Sequence, residues 1–417
     1  MVGHPPRVAE GGARQVQALT RPPPRQRTGR PPASATPPLA AAGVRRLLSD
    51  AGRAAVALAQ GLDLAPAARV ATAQAVRDAV GPELGPLALE QAVLKERARA
   101  KHPRGDALWW TGEALEQATA HEVAQHRARR FDGPVLDVCC SVGGDLLALP
   151  DGSTGVDLDE ARLLLAAENA RVLDRRVQLV RADAASLRPG GDVFADPARR
   201  RGGRRTFDPA SYAPPLDLVL GWLPRVRALG VKAAPGLPDE AVPEGVELEL
   251  VSLRGEVKEA VLWGGAARRG HARTATLLPA GDVLVDDPVP APAVRPPGRW
   301  LLEPDGAVIR AHLVAQVVAQ VDGWLLDASI AYVAADAPAP TPYGTWFEVL
   351  DLLPFSLKRL REVLRTHDAG QVVVKKRGTA VEPEVLRRQL GMRGSREVTV
   401  VLTRAEGRQV AMVVRRA

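Results

Sequence analysis

The sequence predicts an α/β fold in which helices cover both faces of a largely parallel sheet. Short apolar runs at 135–138, 152–156, 177–180 and 192–195 alternate with amphipathic segments, of which 160–172 is the clearest helix. Several of these runs end in an acidic residue, and a glycine-bearing turn follows the first. In doubly wound sheets such strand ends line a crevice at the carboxyl edge, where nucleotide-like ligands bind.

The same pattern continues to about residue 280. A fifth strand is predicted at 229–233, and the apolar runs 246–253 and 257–264 flank Arg254-Gly-Glu256, which is a hairpin signal. The sheet would therefore have seven strands, with the last two antiparallel. We assign residues 131–285 to this doubly wound domain.

Two different segments precede this domain. Residues 1–38 are rich in Pro, Arg and small residues with almost no apolar periodicity, which predicts a disordered basic tail. Residues 39–130 carry apolar stripes at helical spacing, punctuated by Gly and Pro, and are predicted to be helical. Within them Thr119-Ala-His-Glu122 has the spacing of a capping box, and the helix that it starts would run to Phe131.

Trp109 and Trp110 precede that helix. Paired tryptophans in a helical region commonly fill a core, because each ring buries a large apolar surface. The alternative is that Trp110 and Thr119 line the mouth of the crevice, which would make Thr119 a ligand contact. The sequence leaves both interpretations open.

A second, smaller domain is predicted after the sheet. Residues 286–298 form a proline-rich linker of the semi-rigid type, and residues 299–417 form an α/β unit. Its predicted helices are 309–321, 357–365 and 383–390, and its predicted strands are 371–375, 398–403 and 410–414, the last two joined over Ala405-Glu-Gly407.

The net charge of +8 is unevenly distributed. Residues 1–38 carry six arginines against one acid, Glu10, so this segment accounts for +5 and the rest of the chain for about +3. Whole-chain charge is therefore weak evidence for a polyanionic partner.

Cysteine and apolar content bear on the compartment. Cys139 and Cys140 are adjacent and are the two cysteines of the chain, so they cannot join distant parts of the fold, and a reducing compartment is expected. No apolar run is long enough to span a membrane, and the first residues lack the apolar segment of a secretory signal. These features predict a cytoplasmic protein with no membrane partner. The seven histidines show no ligand spacing, so no metal site is predicted.

Acids at three successive strand ends indicate the ligand. Asp137 ends the first strand, Asp157 ends the second 20 residues later, and Asp183 follows the third. The sequence has neither Gly-x-Gly-x-x-Gly spacing nor a P-loop, so it lacks the usual cradles for a phosphate. Acids without a phosphate cradle favour a nucleoside with a cationic or amino-acid tail, which describes S-adenosylmethionine.

These residues and their neighbours resemble a known family. Over residues 108–417 the chain is similar to class I S-adenosylmethionine-dependent methyltransferases, with their Rossmann-like seven-stranded sheet, that carry a C-terminal THUMP-like domain. The motifs that support the resemblance are Asp137-Val-Cys-Cys-Ser-Val-Gly-Gly-Asp145, Gly155-Val-Asp157, Arg181-Ala-Asp183, Ala195-Asp-Pro-Ala-Arg-Arg200, Gly230-Val-Lys-Ala-Ala-Pro-Gly236, Glu303-Pro-Asp-Gly-Ala307, Ile330-Ala-Tyr332, Val374-Lys-Lys-Arg-Gly378 and Val400-Val-Leu-Thr-Arg404.

The resemblance implies a role for each part of the crevice. Asp157 would bind the ribose of the cofactor, and Asp183 with Ala184 would bind the adenine. Asp196 and Pro197 would face the methyl acceptor as the catalytic residues. The first turn would hold the methionine end of the cofactor, through Asp137, Cys139, Ser141, Gly143 and Asp145.

The chain departs from the family pattern at two places. The family-type turn is Asp-x-Gly-x-Gly-x-Gly, whereas Cys139 and Ser141 occupy the first two glycine positions and Gly143 remains. Glycine there lets the backbone approach the cofactor closely, so the turn either fits at a cost or is weakened. Enzymes that methylate base amino groups often carry Asn/Asp-Pro-Pro-aromatic, and here Arg199 stands in place of the ring. A guanidinium can stack on a base or grip a phosphate, so base N-methylation is one option.

Two basic runs lie near these elements. Arg199-Arg-Arg-Gly-Gly-Arg-Arg205 follows the acceptor acid, and Lys375-Lys-Arg377 lies in the last domain. Such runs are often simply solvated loops, but beside a catalytic edge they are well placed to meet an anionic substrate. The predicted substrate contacts are Arg199, Arg200, Lys375 and Lys376.

The favoured function is therefore transfer of a methyl group to RNA, at a base of tRNA or rRNA, because THUMP-type domains are associated with RNA. One alternative is a small-molecule or protein methyltransferase on the same fold. The other is a non-catalytic RNA-binding protein with a decayed cofactor site.

Overall fold

The computed structural model of the protein describes residues 39–198, 200–201, 204–205 and 211–417. The predicted basic tail, residues 1–38, and Arg199 lie outside these ranges. The described residues form a helical region, a large α/β sheet and a smaller C-terminal sheet with helices, so the predicted fold class is confirmed. Within these ranges, no helix has the length and apolar character needed to cross a bilayer.

Helices dominate the chain before the first strand. Val44 and Val56 are buried where the first helices pack together, and Trp109 and Trp110 lie in the same core with 4% and 3% of their surface exposed. The six helices of this region are α1 (Ala41–Leu48), α2 (Asp50–Gln60), α3 (Arg69–Val80), α4 (Gly85–Ala98), α5 (Gly112–Gln117) and α6 (His121–Ala128).

The predicted capping box before α6 is wrong. The residue that precedes the helix is Ala120, and no side chain caps it. Glu122 instead accepts a hydrogen bond from Arg254 at 2.8 Å, and the Thr119 hydroxyl faces charged groups of the crevice. Distant charged donors satisfy both side chains, so neither is left for the local backbone. The helix also ends at Ala128 rather than at Phe131.

The large sheet has nine strands in the described residues, in the order β11-β10-β8-β9-β7-β4-β1-β2-β3. They are β1 (Val135–Val138), β2 (Thr154–Asp157), β3 (Gln178–Arg181), β4 (Asp192–Ala195), β7 (Ala228–Ala233), β8 (Glu247–Leu253), β9 (Glu256–Gly265), β10 (Arg273–Leu278) and β11 (Asp282–Val285), while β5 (Arg200–Arg201) and β6 (Arg204–Arg205) form a separate short hairpin.

Most neighbouring strands of this sheet are parallel. The exceptions are β9, which is antiparallel to β7 and β8, and β11, which is antiparallel to β10. The strands β10 and β11 extend the sheet beyond the seven that the sequence predicts. The helices α7 (Glu160–Val172) and α8 (Leu216–Leu220) connect strands of the parallel part.

The C-terminal part contains a seven-stranded sheet among the described residues, in the order β13-β14-β12-β15-β18-β17-β16. Its strands are β12 (Trp300–Pro304), β13 (Trp324–Asp327), β14 (Ile330–Ala335), β15 (Gly344–Pro354), β16 (Ala369–Lys376), β17 (Arg396–Ala405) and β18 (Arg408–Arg416), and its helices are α9 (Gly306–Arg310), α10 (Val314–Gln320), α11 (Leu357–Thr366) and α12 (Pro383–Leu390).

Two differences from the sequence prediction occur in this part. The single helix predicted at 309–321 is two helices, α9 and α10, because His312 adopts a left-handed backbone conformation with φ of 61°. The strands β12 to β15, which the sequence analysis did not predict, make up more than half of the sheet.

The two sheets share one hydrophobic core. Leu250 of β8 and Ala275 of β10 belong to the same buried cluster as Val308 of α9 and Val317 of α10. Each of these four residues is no more than 1% exposed. The first helices of the C-terminal part are therefore packed as an integral layer of the large sheet.

A buried ion-pair layer fixes the end of α6 to the sheet. Arg130 donates to both carboxylate oxygens of Glu247, at 2.8 and 3.1 Å, and to Glu249 at 3.0 Å, and its guanidinium stacks on Trp263. His126 contacts Glu249 at 2.7 Å. Burial alone would raise the pKa of Glu249, but the contacts with His126 and Arg130 lower it to about 2. The layer is stable because each buried charge has a hydrogen-bonded partner.

We predict that Arg130→Met destabilises the protein by about 3–5 kcal/mol, because Glu247 and Glu249 would remain buried without their cation. The measurement is the free energy of unfolding from urea denaturation. The matched control is Arg129→Met, since Arg129 is the neighbouring residue and is exposed. An equal effect of the two substitutions would contradict this account of α6.

Candidate functional site

Three residues form a row at the carboxyl edge of the parallel strands. Val138 of β1 pairs with Val156 of β2 on one side and with Ala195 of β4 on the other. The next residue of each strand is therefore level with the others, which aligns Asp157, Cys139 and Asp196. Neighbouring strands lie about 4.8 Å apart, so the row crosses the mouth of the crevice within about 10 Å.

The turn after β1 has left-handed backbone conformations at three positions, and only one of the three residues is glycine. Cys139 and Ser141 have φ of 67° and 52°, and Gly143 has φ of 89°. The turn is held by hydrogen bonds from the Cys139 and Cys140 amides to Val156 O, at 2.8 and 3.0 Å. A left-handed conformation costs a residue with a side chain about 1–2 kcal/mol. Cys139 and Ser141 are therefore held in this turn at the expense of backbone strain.

Asp157 links this turn to the following helix. Its two carboxylate oxygens accept from the Ser141 amide and the Asp159 amide, each at 2.9 Å. Asp159 in turn caps α7 by accepting from the Ala161 amide at 2.8 Å. Each oxygen of Asp157 retains a second lone pair, so the carboxylate can also accept from hydroxyl groups of a ligand in the cleft.

Thr119 connects the end of β4 to the turn after β1. Its hydroxyl oxygen accepts from Lys232 at 2.8 Å and from Arg127 at 3.0 Å, and it lies 3.3 Å from Asp145. Lys232 also donates to Oδ2 of Asp196 at 2.7 Å. Asp196 is thus held in one orientation by a buried lysine, and the same lysine reaches the start of α6.

A largely buried cluster of charged groups extends from the cleft wall to the residues below its floor. Arg127 pairs with Asp145 and lies 3.1 Å from Glu259, while Lys232 pairs with Asp196. Asp137 is 0% exposed, and neither of its carboxylate oxygens has a hydrogen-bond partner among the described residues. The cluster therefore contains four carboxyl groups and two cations: Asp137, Asp145, Asp196, Glu259, Arg127 and Lys232.

Burial and the neighbouring carboxylates determine how this cluster is charged. Burial, with the charges of Asp145 and Asp196, raises the pKa of Asp137 well above its ordinary value. Burial would lower the pKa of Lys232, but the attraction of Asp196 and Asp145 outweighs it and raises the pKa. Lys232 is therefore a cation that pairs with Asp196, and Asp137 holds its proton to a higher pH than a free carboxyl group does.

Most of the residues predicted for the crevice surround one cleft. Its walls include Thr119, Cys139, Ser141, Asp145, Asp157, Asp196 and Pro197. Trp110 and Gly143 lie behind the turn, at a separate cavity of about 420 Å³ that Thr119 also lines. Asp137 is buried below the cleft floor.

Other predicted residues lie elsewhere. Asp183 accepts from the Ala185 amide at 2.9 Å in a short turn, and neither it nor the buried Ala184 is among the residues of the cleft walls. Lys375 pairs with Glu303 at 2.6 Å, and Lys376 pairs with Glu382 at 2.7 Å, both on the C-terminal sheet. Arg200 is in the β5–β6 hairpin, and Arg199 is outside the described residues.

The sequence analysis missed Lys232, Arg127 and Glu259. Lys232 had a recognisable signal, because a single lysine interrupts the otherwise apolar strand β7. Arg127 had none, since it stands in the basic segment 127–130 and its burial depends on the sheet. Among the described residues, no group of three or more His, Cys, Asp or Glu is arranged to hold a metal ion.

The fold and cleft define an α/β protein with a cleft at the carboxyl edge of its sheet, and comparisons with known proteins give the family. The chain is 43% identical over 337 residues to two uncharacterised S-adenosylmethionine-dependent methyltransferases of Mycobacterium tuberculosis, from strains CDC 1551 / Oshkosh and ATCC 25618 / H37Rv, covering 76% of this chain and 92% of each relative. The protein belongs to the S-adenosylmethionine-dependent methyltransferases, and S-adenosylmethionine is its cofactor.

Two further comparisons concern the fold. Residues 344–416 match the THUMP domain-like family. The chain also superposes on a Porphyromonas gingivalis W83 protein provisionally named a methyltransferase, with a TM-score of 0.65 and 19% identity over 88% of this chain and 98% of that one. This likeness shows that the two proteins share the fold.

The residues of the cleft fit this cofactor. S-adenosylmethionine carries a positive sulfur and an ammonium group, and the charged cluster has more carboxyl groups than cations. The buried carboxyl of Asp137 is without a partner among the described residues, and Asp157 faces the cleft as a hydrogen-bond acceptor. When bound, the cofactor supplies a methyl group on an already activated sulfur.

We predict that Asp137→Asn stabilises the protein at pH 8 and that the gain shrinks towards pH 4. The raised pKa of Asp137 means that the folded state keeps a proton which the unfolded state loses above about pH 4, so wild-type stability falls as pH rises through that range. Asparagine does not titrate. The measurement is the melting temperature of both proteins from pH 4 to pH 8, and a gain that is independent of pH would contradict the assignment.

Proposed function

We propose that this methyltransferase modifies RNA, at a base of tRNA or rRNA. The observation that carries the proposal is the separation of charge along the chain. Residues 344–416 contain 15 Lys and Arg against 8 Asp and Glu, a net charge of +7, whereas residues 39–343 contain 35 against 39, a net charge of −4. A strongly basic module attached to a slightly acidic catalytic domain is suited to a polyanionic substrate.

The cations are concentrated on one layer of the C-terminal part. The helices α11 and α12 lie side by side and bury Leu360, Leu364, Leu386 and Leu390 against the sheet. Their outer side, with the turn after α12, carries Lys358, Arg359, Arg361, Arg365, Arg387, Arg388 and Arg393 against two acids, Glu362 and Glu384. We call these seven cations the basic helical layer and propose that it binds phosphates, together with Lys375 and Lys376.

The acceptor edge suits a nitrogen that carries a proton. Asp196, which pairs with Lys232, would accept a hydrogen bond from an exocyclic amine and orient the lone pair of that amine towards the methyl group. When bound, the cofactor would supply the methyl group from its sulfur to the acceptor nitrogen, and the proton that the amine loses would pass to Asp196 or water. Asp157 would hold the ribose of the cofactor. Because the cofactor and the acceptor would both be held in place, most of the rate enhancement would come from positioning.

We predict that Asp157→Ala and Asp196→Ala fail in different ways. Asp157→Ala should weaken S-adenosylmethionine binding by at least about 10-fold, because it removes the acceptor of the ribose hydroxyls. Asp196→Ala should leave binding within about 3-fold and abolish turnover. The measurements are calorimetry and transfer of labelled methyl groups to total RNA from cells that lack the protein.

The same assay separates the alternatives. Labelling of a protein or metabolite fraction instead of RNA would favour the small-molecule or protein methyltransferase. Absence of cofactor binding by the wild-type protein would favour the non-catalytic protein with a decayed site. Cys139 and Ser141, which stand where the family-type turn has glycines, suggest this alternative. Loss of binding in Asp196→Ala would mean that Asp196 holds the cofactor rather than the acceptor.

We predict that exchanging Lys358, Arg359, Arg365 and Arg388 for Gln weakens RNA binding by about 10-fold or more at 0.15 M salt and reduces the salt dependence of the affinity. For each phosphate contact that is lost, fewer counterions are released when RNA binds. The slope of log affinity against log salt concentration therefore becomes shallower by about 0.9 per contact. The measurement is a fluorescence titration of bulk tRNA. The control exchanges four exposed arginines that precede the C-terminal part: Arg69, Arg77, Arg97 and Arg188. Equal losses in both variants would contradict the assignment of the layer.

A further inference from the structure

Cys139 is the middle residue of the row at the carboxyl edge. Its amide donates to Val156 O at 2.8 Å, and the Asp196 amide donates to Val138 O at 3.1 Å, so the three strands are held in register up to the row. On the proposed assignment, Asp157 holds the ribose and Asp196 faces the acceptor. The sulfur of the cofactor, which joins the ribose to the group in transit, must then lie near the middle of the row.

The two adjacent cysteines have different surroundings. Cys140 is 4% exposed and packs in a core with Leu146 and Leu163. A Cβ atom placed on Gly155 would come within 2.8 Å of its Sγ, so the space around Cys140 is filled. Cys139 is half-buried, lines the cleft and has Asp157 and Asp196 as its nearest charges. Both cysteines are among the residues that line the cleft, and Cys139 is the more exposed of the two.

The backbone of Cys139 makes its side chain costly. Its φ of 67° lies in the left-handed region, where glycine is the residue without penalty. Strain of this kind persists at functional sites when the side chain contributes something that glycine would not. Burial raises the pKa of the Cys139 thiol, with the carboxylates of Asp157 and Asp196 adding to the shift, so the side chain is a neutral wall rather than a nucleophile.

We propose that Cys139 determines the size of the alkyl group that the site accepts on the cofactor sulfur. Its side chain lies between the ribose-binding acid and the acceptor acid, and it narrows the cleft where glycine would leave it open. A methyl group fits beside it and an ethyl group meets the Cβ and Sγ atoms. The inference rests on the proposed cofactor site but not on RNA as the substrate.

The test is calorimetric binding of S-adenosylmethionine and its S-ethyl homologue, S-adenosylethionine, to the full chain. The wild-type protein should bind the ethyl homologue at least about 10-fold more weakly, which is the usual effect of one methylene in a tight pocket. Cys139→Gly should reduce the gap to about 3-fold or less, and Cys139→Ala, which keeps the Cβ atom, should be intermediate. The melting temperature of Cys139→Gly should rise by about 1–2 °C because strain is relieved.

Glu406→Gly is the matched control. Glu406 has φ of 47° in the exposed turn between β17 and β18, so it carries the same strain outside the cleft. It should raise the melting temperature and leave the methyl-to-ethyl ratio unchanged. An unchanged ratio in Cys139→Gly, or no discrimination by the wild-type protein, would overturn the inference. Failure of the wild-type protein to bind S-adenosylmethionine would overturn the proposed cofactor site as well. This outcome is distinct from the other two, in which S-adenosylmethionine still binds.

Discussion

The position of α6 is the constraint on which the site depends. Arg127, near the end of this helix, reaches Asp145 in the first turn, and Arg130, three residues later, is clamped by Glu247 and Glu249 on the sheet. Each guanidinium is buried among carboxylates, so a shift of the helix would expose uncompensated charge on both sides. Thr119, two residues before the helix, is thereby held within reach of Lys232. The register of three strands and one clamped helix accounts for the geometry of the cleft.

Local pattern was sufficient for much of the catalytic domain. The strands β1 and β4 have the predicted bounds, because short apolar runs between turn signals are typical of buried strands. The row of Asp157, Cys139 and Asp196 followed from strand ends alone once the pairing was known. The strands β12 to β15 and the extra strands β10 and β11 escaped prediction, since their periodicity is weak and several of their pairings, such as β12 with β15 and β15 with β18, join distant segments.

Side-chain partners were harder to predict than elements. The Thr119 to Glu122 spacing suited a capping box, yet both side chains bind charged groups that are distant in sequence. Lys232 and Glu259 acquire meaning only when β7 and β9 pair in the sheet. Buried charge is therefore the part of this site that sequence patterns describe least, because burial and partner choice are set by the tertiary structure.

The common core of the two sheets has a consequence for the choice of substrate. Val308 and Val317 of the C-terminal part are buried with Leu250 and Ala275 of the catalytic sheet, so a hinge between the parts would have to open an apolar core. The distance between the THUMP-like segment and the row of Asp157, Cys139 and Asp196 is then fixed. A polymeric substrate bound at the THUMP-like segment could present to the row only those positions that lie at this distance from the bound part. Selection of the modified position would come from the shape of the folded substrate rather than from movement of the enzyme.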